Sequence, residues 1–272
     1  MKLAIIQMGV GIDKKNNLDV MKGYIKRAGE TGADIAILPE MFNCPYSNDY
    51  FRNYAEKSGG ESYTALSQAA SLSGIYVIGG SIPELDGDDV YNTSFVFARN
   101  GGEIARHRKV HLFDIDVKGG QRFFESETLK AGEDITVFET EFGKMGLLIC
   151  FDLRFPELCR LTALKGARVL FAPAAFNMTT GPLHWEILFR QRAVDNQLFT
   201  VGASPARDEE GVYVSYGNSI AVDPWGRVLY RADAQETMGV VEFDLGEIER
   251  VREQLPLINA MRNDVYRIEE VY

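Results

Sequence analysis

The sequence predicts an α/β protein in which one mixed β-sheet, or two, is covered by helices. Short apolar runs typical of strands alternate with longer segments whose apolar residues recur at helical spacing. Some neighbouring strands resemble hairpins, which adds antiparallel pairing to the parallel pairing that strand–helix alternation produces. The chain has 272 residues, 46% of them apolar, and no repeat or linker divides it. We therefore expect one domain, residues 1–272.

The first half of the chain alternates predicted strands with two predicted helices. The strands are residues 2–8, 34–38, 75–78, 90–98 and 103–110, and the helices are residues 15–29 and about 63–72. Leu18, Met21 and Ile25 place apolar groups on one side of the first helix. Gly32 is a stop signal just beyond its end. The last two strands are predicted to form a hairpin around the Asn-Gly-Gly turn at residues 100–102.

The second half continues the same alternation. Its predicted strands are residues 145–150, 169–172, 198–203, 219–222, 228–230 and 239–243, and its helices are residues 156–165 and 183–197. Asp244 is predicted to N-cap a last helix, with Glu247 completing a capping box. The longest segments predicted to be irregular, about 43–53 and 113–132, are rich in turn formers or charge.

Charge and cysteine content exclude several classes of partner. Acidic residues outnumber basic ones, 39 to 29, so nucleic acid and anionic membrane surfaces are poor partners for this chain. Three cysteines cannot all pair, which favours a reducing compartment. The apolar run at the N-terminus is too short to span a membrane. We expect a cytoplasmic protein.

Two reactive side chains follow predicted strands directly. Glu40 comes after Pro39, which ends the strand 34–38, and apolar residues flank it on both sides. A partly buried carboxylate with a raised pKa is therefore favoured over the alternative, a solvated loop glutamate. Lys109 lies at the end of the strand 103–110. Taken alone, it is typical of a surface basic cluster.

A third reactive residue, Cys150, ends the buried strand 145–150. A helix begins shortly afterwards, and a helix N-terminus favours a thiolate. The alternative is an inert core cysteine, which is the commoner role of a free cysteine. Asp152 and Arg154 follow at once, and charged residues are unusual around a purely structural cysteine.

Together these three residues suit nucleophilic catalysis by a cysteine. A cysteine nucleophile needs a base, here Glu40, and attack on an amide or nitrile carbon builds negative charge that Lys109 and the N–H of Phe151 could stabilise. A histidine base remains an alternative: His107 and His111 share a strand face with Lys109, and a third histidine, His184, lies elsewhere in the chain. No cysteine or histidine spacing matches a closed zinc site, and no glycine-rich phosphate loop is present.

The motifs LPEMF, HRKVHLFD and GLLICFDLRFPEL around these residues resemble those of the nitrilase superfamily of carbon–nitrogen hydrolases. The segments HLFDIDV, FNMTTGPLHWE, RAVDNQ and SPARD are most similar to the omega-amidase branch. The resemblance implies an αββα sandwich that pairs as αββα–αββα in a homodimer or higher homo-oligomer, with no cofactor and no metal. It also implies that Glu40 is the general base, Lys109 the catalytic lysine and Cys150 the nucleophile. Glu125 matches a further glutamate that positions the lysine and the substrate, the alternative being a solvated acid.

The omega-amidase branch hydrolyses the terminal amide of α-keto-dicarboxylic monoamides, such as α-ketoglutaramate and α-ketosuccinamate, and the chemistry implies a thioester intermediate. The free carboxylate of such a substrate needs a cationic clamp. Arg154 is the candidate, unless it pairs with Asp152 or Glu157, while Thr180 could add a hydroxyl and Tyr46 could line the pocket.

Two further expectations bear on the substrate and on alternative functions. Four basic residues and one acid between positions 99 and 111 are expected to make the pocket locally positive despite a net charge of −10. Other amidases of the superfamily, such as a deaminated-glutathione amidase or an N-carbamoyl amine hydrolase, remain alternatives. A non-enzymatic scaffold of the same fold is disfavoured by the complete Glu–Lys–Cys set.

Overall fold

The computed structural model describes residues 1–271, which form two stacked β-sheets between two layers of helices. The first eight strands are β1 (Lys2–Gln7), β2 (Ile35–Ile37), β3 (Tyr76–Ile78), β4 (Ile82–Asp86), β5 (Asp89–Phe97), β6 (Glu103–Arg108), β7 (Asp114–Asp116) and β8 (Arg122–Phe124). The strands that follow are β9 (Thr136–Thr140), β10 (Gly143–Leu147), β11 (Val169–Pro173), β12 (Phe199–Ala203), β13 (Ile220–Val222), β14 (Val228–Arg231) and β15 (Thr237–Glu242).

Helices connect and cover these strands. They are α1 (Lys14–Glu30), α2 (Asn48–Tyr54), α3 (Glu61–Ser73), α4 (Pro156–Leu164), α5 (Gly181–Asn196) and α6 (Glu247–Gln254), with 3₁₀ turns at Glu125–Glu127 and Cys150–Arg154. Asp13 begins α1 by accepting a hydrogen bond from the N–H of Asn16, and left-handed Gly74 ends α3. In the range 1–271 no helix is both long and apolar enough to cross a membrane.

Both large sheets are mixed, as the alternation of strands and helices predicted. The first has the order β15-β1-β2-β3-β5-β4, with β6 paired to β5, and the second has the order β14-β13-β12-β11-β10-β9. In each sheet three central strands are parallel: β1, β2 and β3 in the first, and β10, β11 and β12 in the second. Because parallel neighbours end on the same side, the loops after these strands gather at one edge of each sheet.

Alternate residues of the buried strands face different layers. In β1, Leu3 and Ile5 pack between the sheets, whereas Ala4 and Ile6 pack against α1 and α3. On the far side, α4 and α5 cover the second sheet, and Trp185 of α5 is buried in the apolar layer between them. Both faces of the central strands are therefore dry, which explains their continuous apolar sequences. The predicted αββα sandwich is confirmed.

Several local predictions differ from the structure. The predicted strand 145–150 stops at Leu147, and Cys150 lies in a 3₁₀ turn. Gly246, not Asp244, is the N-cap of α6, because the Asp244 carboxylate accepts from the N–H of Gly246 in the turn before the helix. The segments predicted to be irregular contain α2, β7, β8 and a 3₁₀ turn, and β4 and β9 were not predicted.

We expect Gly80→Ala to destabilise the loop that carries Glu40. Gly80 has φ +58°, and a Cβ atom there would overlap the carbonyl oxygen of Pro39. Gly87 has a similar φ of +60° but open space around it, so Gly87→Ala is the matched control. In urea unfolding, the control should lose about 1 kcal/mol from backbone strain, and Gly80→Ala at least about 2 kcal/mol. Equal losses would show that the contact with Pro39 does not matter.

Candidate active site

The structure brings four of the sequence-predicted residues into one buried cluster. Glu40 follows β2, Lys109 follows β6, Glu125 opens a 3₁₀ turn after β8, and Cys150 follows β10. All four side chains are buried, and even Cys150 is only 4% exposed. The cluster therefore lies where loops from the first sheet meet the 3₁₀ turn that begins at Cys150 in the second.

Lys109 is the centre of this cluster. Its Nζ atom lies 2.9 Å from Glu40 Oε1, 2.8 Å from Glu125 Oε2 and 3.3 Å from the hydroxyl of Tyr46. Burial alone would lower the pKa of Lys109, but the carboxylates of Glu125 and Glu40 outweigh it and raise the pKa. Lys109 therefore stays a cation although it is wholly enclosed.

Three hydrogen-bond donors hold the buried carboxylate of Glu40. Oε1 accepts from Lys109 and, at 2.8 Å, from the amide of Asn92, while Oε2 accepts at 2.8 Å from the N–H of Ala175 in the second sheet's loop. Burial raises the pKa of Glu40 above its usual value, against the pull of Lys109. The carboxylate is thus more basic than a solvated glutamate, as the apolar flanks of the sequence predicted.

Cys150 lies beside Glu40 on a strained turn. Its φ is +46°, and Met41, the residue after Glu40, is also left-handed with φ +51°. Burial and the charge of Glu40 raise the pKa of the thiol well above its usual value. The expectation that a helix N-terminus favours a thiolate here is wrong, because the 3₁₀ turn is only five residues long and a carboxylate adjoins the sulfur. The resting group is a thiol.

Glu125 and Tyr46 hold the lysine from its far side. The Tyr46 hydroxyl donates to Glu125 Oε1 at 2.6 Å, and Glu125 Oε2 accepts at 2.6 Å from the N–H of Phe113. Burial raises the pKa of Tyr46, so the phenol remains a neutral donor. Glu125 is therefore not the solvated acid that the sequence left as an alternative, and the hydroxyl of Tyr46 is already engaged.

Sequence reasoning missed two polar residues of the cluster. Asn92 of β5 donates to Glu40, and Tyr213 donates at 2.7 Å to the carbonyl of Ala175 while its ring packs 4.8 Å from Tyr46. Asn92 begins a run of three polar residues with Thr93 and Ser94, so its own polarity does not single it out within β5. Nothing in the local sequence around Tyr213 indicates its contact, because that contact is long-range.

Arg154 lies close by without an acidic partner. Among residues 1–271 its guanidinium forms no ion pair, so neither Asp152 nor Glu157 neutralises it. Instead it lies 4.6 Å from the ring centre of Phe176 and 5.6 Å from that of Phe151, and its Nη1 donates at 3.0 Å to Nδ1 of His184. Since a guanidinium only donates, His184 accepts here in its neutral form. Burial lowers the pKa of Arg154.

Thr180 and Phe151 are two further residues that were predicted to bind the substrate. The hydroxyl of Thr180 donates at 3.1 Å to Asn177, and its carbonyl accepts from the N–H of His184, so Thr180 lies where α5 begins. No described contact joins Thr180 to the four clustered residues. The backbone N–H of Phe151 donates to no acceptor within residues 1–271, which leaves it available beside the sulfur.

The basic run before position 111 does not make a positive pocket. Arg99 pairs with Asp34 and Glu141, while Arg106 and Arg108 both pair with Glu84. Acids outside the cluster therefore neutralise all three arginines. The expected local positive charge is therefore wrong, and of that run Lys109 reaches the cluster.

The histidines next to Lys109 bind a different group. His107 and His111 both contact the carboxylate of Asp152, at 3.0 and 2.9 Å. Glu40 is the titratable group that adjoins the thiol, so the geometry favours a carboxylate base over a histidine base. Among the described residues no group of three His, Cys, Asp or Glu side chains has a metal-binding arrangement.

A cavity of about 310 Å³, a size that suits a small molecule, reaches the cluster at Glu40, whereas Lys109, Glu125 and Cys150 are not among its lining residues. Glu40, Tyr46 and Tyr213 contribute to its wall beside residues of the loops 10–12 and 205–215. Two acids, Asp208 and Glu210, also line it. The cavity therefore gives a small molecule access to Glu40.

Comparison with known proteins agrees with this fold. The carbon-nitrogen hydrolase family matches residues 2–253. The crystal structure of Saccharomyces cerevisiae Nit3, described as a member of branch 10 of the nitrilase superfamily, superposes with a TM-score of 0.89 at 43% identity, over 97% of this chain and 96% of that one. The sandwich is thus that of a nitrilase-superfamily hydrolase.

Curated relatives are similar over nearly their whole length. Omega-amidase NIT2 of Xenopus tropicalis is 50% identical over 269 residues, covering 99% of this chain and 98% of that protein. Omega-amidase NIT2 of Homo sapiens is 46% identical over 268 residues, covering 98% and 97%. The chain belongs to the carbon-nitrogen hydrolase family, and its predicted similarity to the omega-amidase branch is confirmed.

We expect alkylation of Cys150 to report a protonated resting thiol. With iodoacetamide and peptide mass spectrometry, the midpoint of its pH–rate profile should lie above pH 9, because burial and Glu40 raise the thiol pKa. Glu40→Gln removes the neighbouring charge and should lower that midpoint. Cys159, whose pKa burial raises to about 12, is the internal control and should not respond. A midpoint below pH 8 in the wild type would instead indicate a stabilised thiolate.

Proposed function

We propose that this protein is an amidase that hydrolyses the terminal amide of small dicarboxylate monoamides, such as α-ketoglutaramate and α-ketosuccinamate, to the acid and ammonia. The observation that carries the proposal is an arginine without an acidic partner, Arg154, next to a buried carboxylate–ammonium–thiol cluster. The names of the most similar relatives, omega-amidases at 46–50% identity, support the same substrate class.

In the proposed mechanism Glu40 acts as general base and Cys150 as nucleophile. Glu40 takes the thiol proton as the sulfur attacks the amide carbon, and the negative charge that forms on oxygen is stabilised by Lys109 and the N–H of Phe151. Each such contact is worth about 3 kcal/mol of barrier, judged from the removal of single oxyanion donors. The raised pKa of Glu40 suits a residue that must hold a proton briefly.

The proton that Glu40 has taken then returns to the leaving group. Ammonia departs as the C–N bond breaks, and the acyl group remains on Cys150 as a thioester. Glu40 next removes a proton from water, which attacks the thioester carbon; the C–S bond breaks and the thiol regains its proton. Glu125 touches neither sulfur nor base in this scheme and keeps the ammonium of Lys109 in place with both oxygens.

Arg154 is proposed to bind the free carboxylate of the substrate. A guanidinium with no acidic partner, seated against two aromatic rings, gains most from a carboxylate that arrives with the ligand. Thr180 is proposed to add a hydroxyl to the same carboxylate, which requires its hydroxyl to leave Asn177, the acceptor to which it donates in the free protein. Tyr46 contributes its ring to the cavity wall, since its hydroxyl is bound to Glu125.

We further propose a cytoplasmic, single-domain protein, residues 1–272, of which Tyr272 lies outside the described residues. Three buried cysteines, none of them in a disulfide, support a reducing compartment. A homodimer is supported by the exposed apolar face of α5, where Leu183 is 75% and Ile187 62% exposed beside Trp225. Because α5 lies in an outer layer, pairing two copies there would stack the sandwiches as αββα–αββα.

The test of the activity is ammonia release from α-ketoglutaramate compared with propionamide, a neutral amide. The wild type should prefer the keto acid, and Cys150→Ala should release none while unfolding at the same urea concentration. Arg154→Met should raise KM for α-ketoglutaramate at least tenfold, because one charge-assisted contact is worth about 1.5–3 kcal/mol. KM for propionamide should not change.

Three results would contradict this reading. An unchanged KM for α-ketoglutaramate in Arg154→Met would remove the clamp role. Faster turnover of deaminated glutathione or an N-carbamoyl amine would move the protein to another amidase class of the superfamily. Labelling by iodoacetamide confined to Cys44 and Cys159 would favour a non-enzymatic scaffold.

The dimer can be tested by a charge on the α5 face. Ile187→Glu should convert the dimer to a monomer in sedimentation at micromolar concentration, because an unpaired charge at the centre of an apolar contact costs several kcal/mol. Leu72→Glu, at a position on α3 that is 88% exposed, is the matched control and should leave the mass unchanged. A dimer that tolerates Ile187→Glu must use another surface.

A further inference from the structure

The carboxylate of Asp152 is completely buried and fully used. Oδ2 accepts from His107 Nε2 at 3.0 Å and from the N–H of Ile149 at 3.1 Å. Oδ1 accepts from His111 Nδ1 at 2.9 Å and from the N–H of His111 at 2.8 Å. Since an ionised carboxylate only accepts, both imidazoles are donors at these atoms. The donors outweigh burial and lower the pKa of Asp152, so this group stays ionised.

The positions of these partners in the chain are more informative than their chemistry. His107 and His111 lie two residues before and two residues after Lys109, and Asp152 lies two residues after Cys150. Lys109 follows β6 of the first sheet, whereas Cys150 follows β10 of the second. Asp152 therefore joins the two sheets at the point where each of them presents a reacting group.

Ordinary core packing gives no reason for this cluster. A buried ionic group costs several kcal/mol of hydration, and apolar residues of similar volume often stabilise a fold equally well. Nor does Asp152 act on the substrate, because all four of its contacts are internal. The cluster does fix an orientation: three of the four bonds to this carboxylate come from His107 and His111, and they determine how the segment around Lys109 lies against the turn around Cys150. The fourth bond, from Ile149, holds the carboxylate within its own turn.

We propose that Asp152 is a positioning residue which, through His107 and His111, holds the ammonium of Lys109 at the working distance from the sulfur of Cys150. The inference rests on the proposed amidase function for its kinetic readout. His111 also stacks on Phe155, 3.5 Å between ring centres, which orients its imidazole toward the carboxylate. Placement of the oxyanion partner thus depends on a residue that never meets the substrate.

The test is Asp152→Asn, with Asp223→Asn as the matched control. Asp223 is also buried, and it accepts from the N–H groups of Trp225 and Arg227 in the turn between β13 and β14, outside the cluster. Asp152→Asn should lower kcat for α-ketoglutaramate at least thirtyfold and change KM less than threefold, because binding by Arg154 remains. Asp223→Asn should cost comparable stability to urea and leave kcat unchanged.

A second readout needs no substrate. Lys109 lowers the pKa of the Cys150 thiol, so displacing the ammonium should move the midpoint of iodoacetamide labelling at Cys150 to higher pH in Asp152→Asn. Asp223→Asn should leave that midpoint where it is in the wild type. If the wild type releases no ammonia from any amide, the proposed function fails, whereas this readout still decides the positioning role.

If Asp152→Asn does not fold, His111→Phe tests the same proposal. The His111 side chain is 28% exposed, and phenylalanine keeps the stacking on Phe155 while removing the Nδ1 donor. This variant should lower kcat about tenfold at unchanged KM and raise the labelling midpoint. The positioning role is overturned if folded Asp152→Asn loses stability alone, or if His111→Phe matches the wild type in both readouts.

Discussion

The ammonium of Lys109, enclosed between two carboxylates, is the interaction on which the rest of the site depends. A lone charge loses several kcal/mol of hydration on burial, so Lys109, Glu40 and Glu125 are stable in the interior only together. Two carboxylates against one ammonium leave an excess of negative charge, which the N–H groups of Ala175 and Phe113 partly offset. Burial, together with the charge of Glu40, raises the pKa of the neighbouring Cys150 thiol and keeps it protonated. In the resting protein a basic carboxylate therefore lies beside a neutral thiol.

The sandwich is the reason why these charges can meet. Lys109 and Glu40 belong to the first sheet, whereas the thiol and the N–H of Ala175 belong to the second. Each sheet directs the ends of three parallel strands to one edge, and the apolar layer between the sheets, including Ile5 and Phe171, sets their separation. A small slip between the sheets would separate base from sulfur without breaking either sheet. Polar contacts between the sheets near the site therefore help to hold Glu40 and the Cys150 sulfur at a fixed separation.

The sequence predicted what depends on local pattern and missed what depends on distant partners. Strands buried on both faces, such as β1 and β11, are continuous apolar runs and were found, whereas β4 and β9 at sheet edges were not. Motifs at predicted strand ends identified Glu40, Lys109 and Cys150, whereas Glu125 was predicted only through the family resemblance. Asn92 escaped notice because its importance lies in a contact with Glu40, 52 residues away. The positive pocket predicted from the basic run was wrong for the same reason, because acids that only folding brings near neutralise its arginines.

The left-handed backbone at Cys150 limits which side chains this turn can accept. A φ of +46° brings the side chain's first carbon close to the preceding backbone, and a branch at that carbon makes the crowding severe. Serine has no such branch and differs from cysteine by a single atom, so it is sterically tolerated. Threonine is not, although it too carries a hydroxyl. A hydroxyl could therefore replace the thiol at this turn as serine but not as threonine, because the backbone conformation excludes a branched side chain whatever its reactivity.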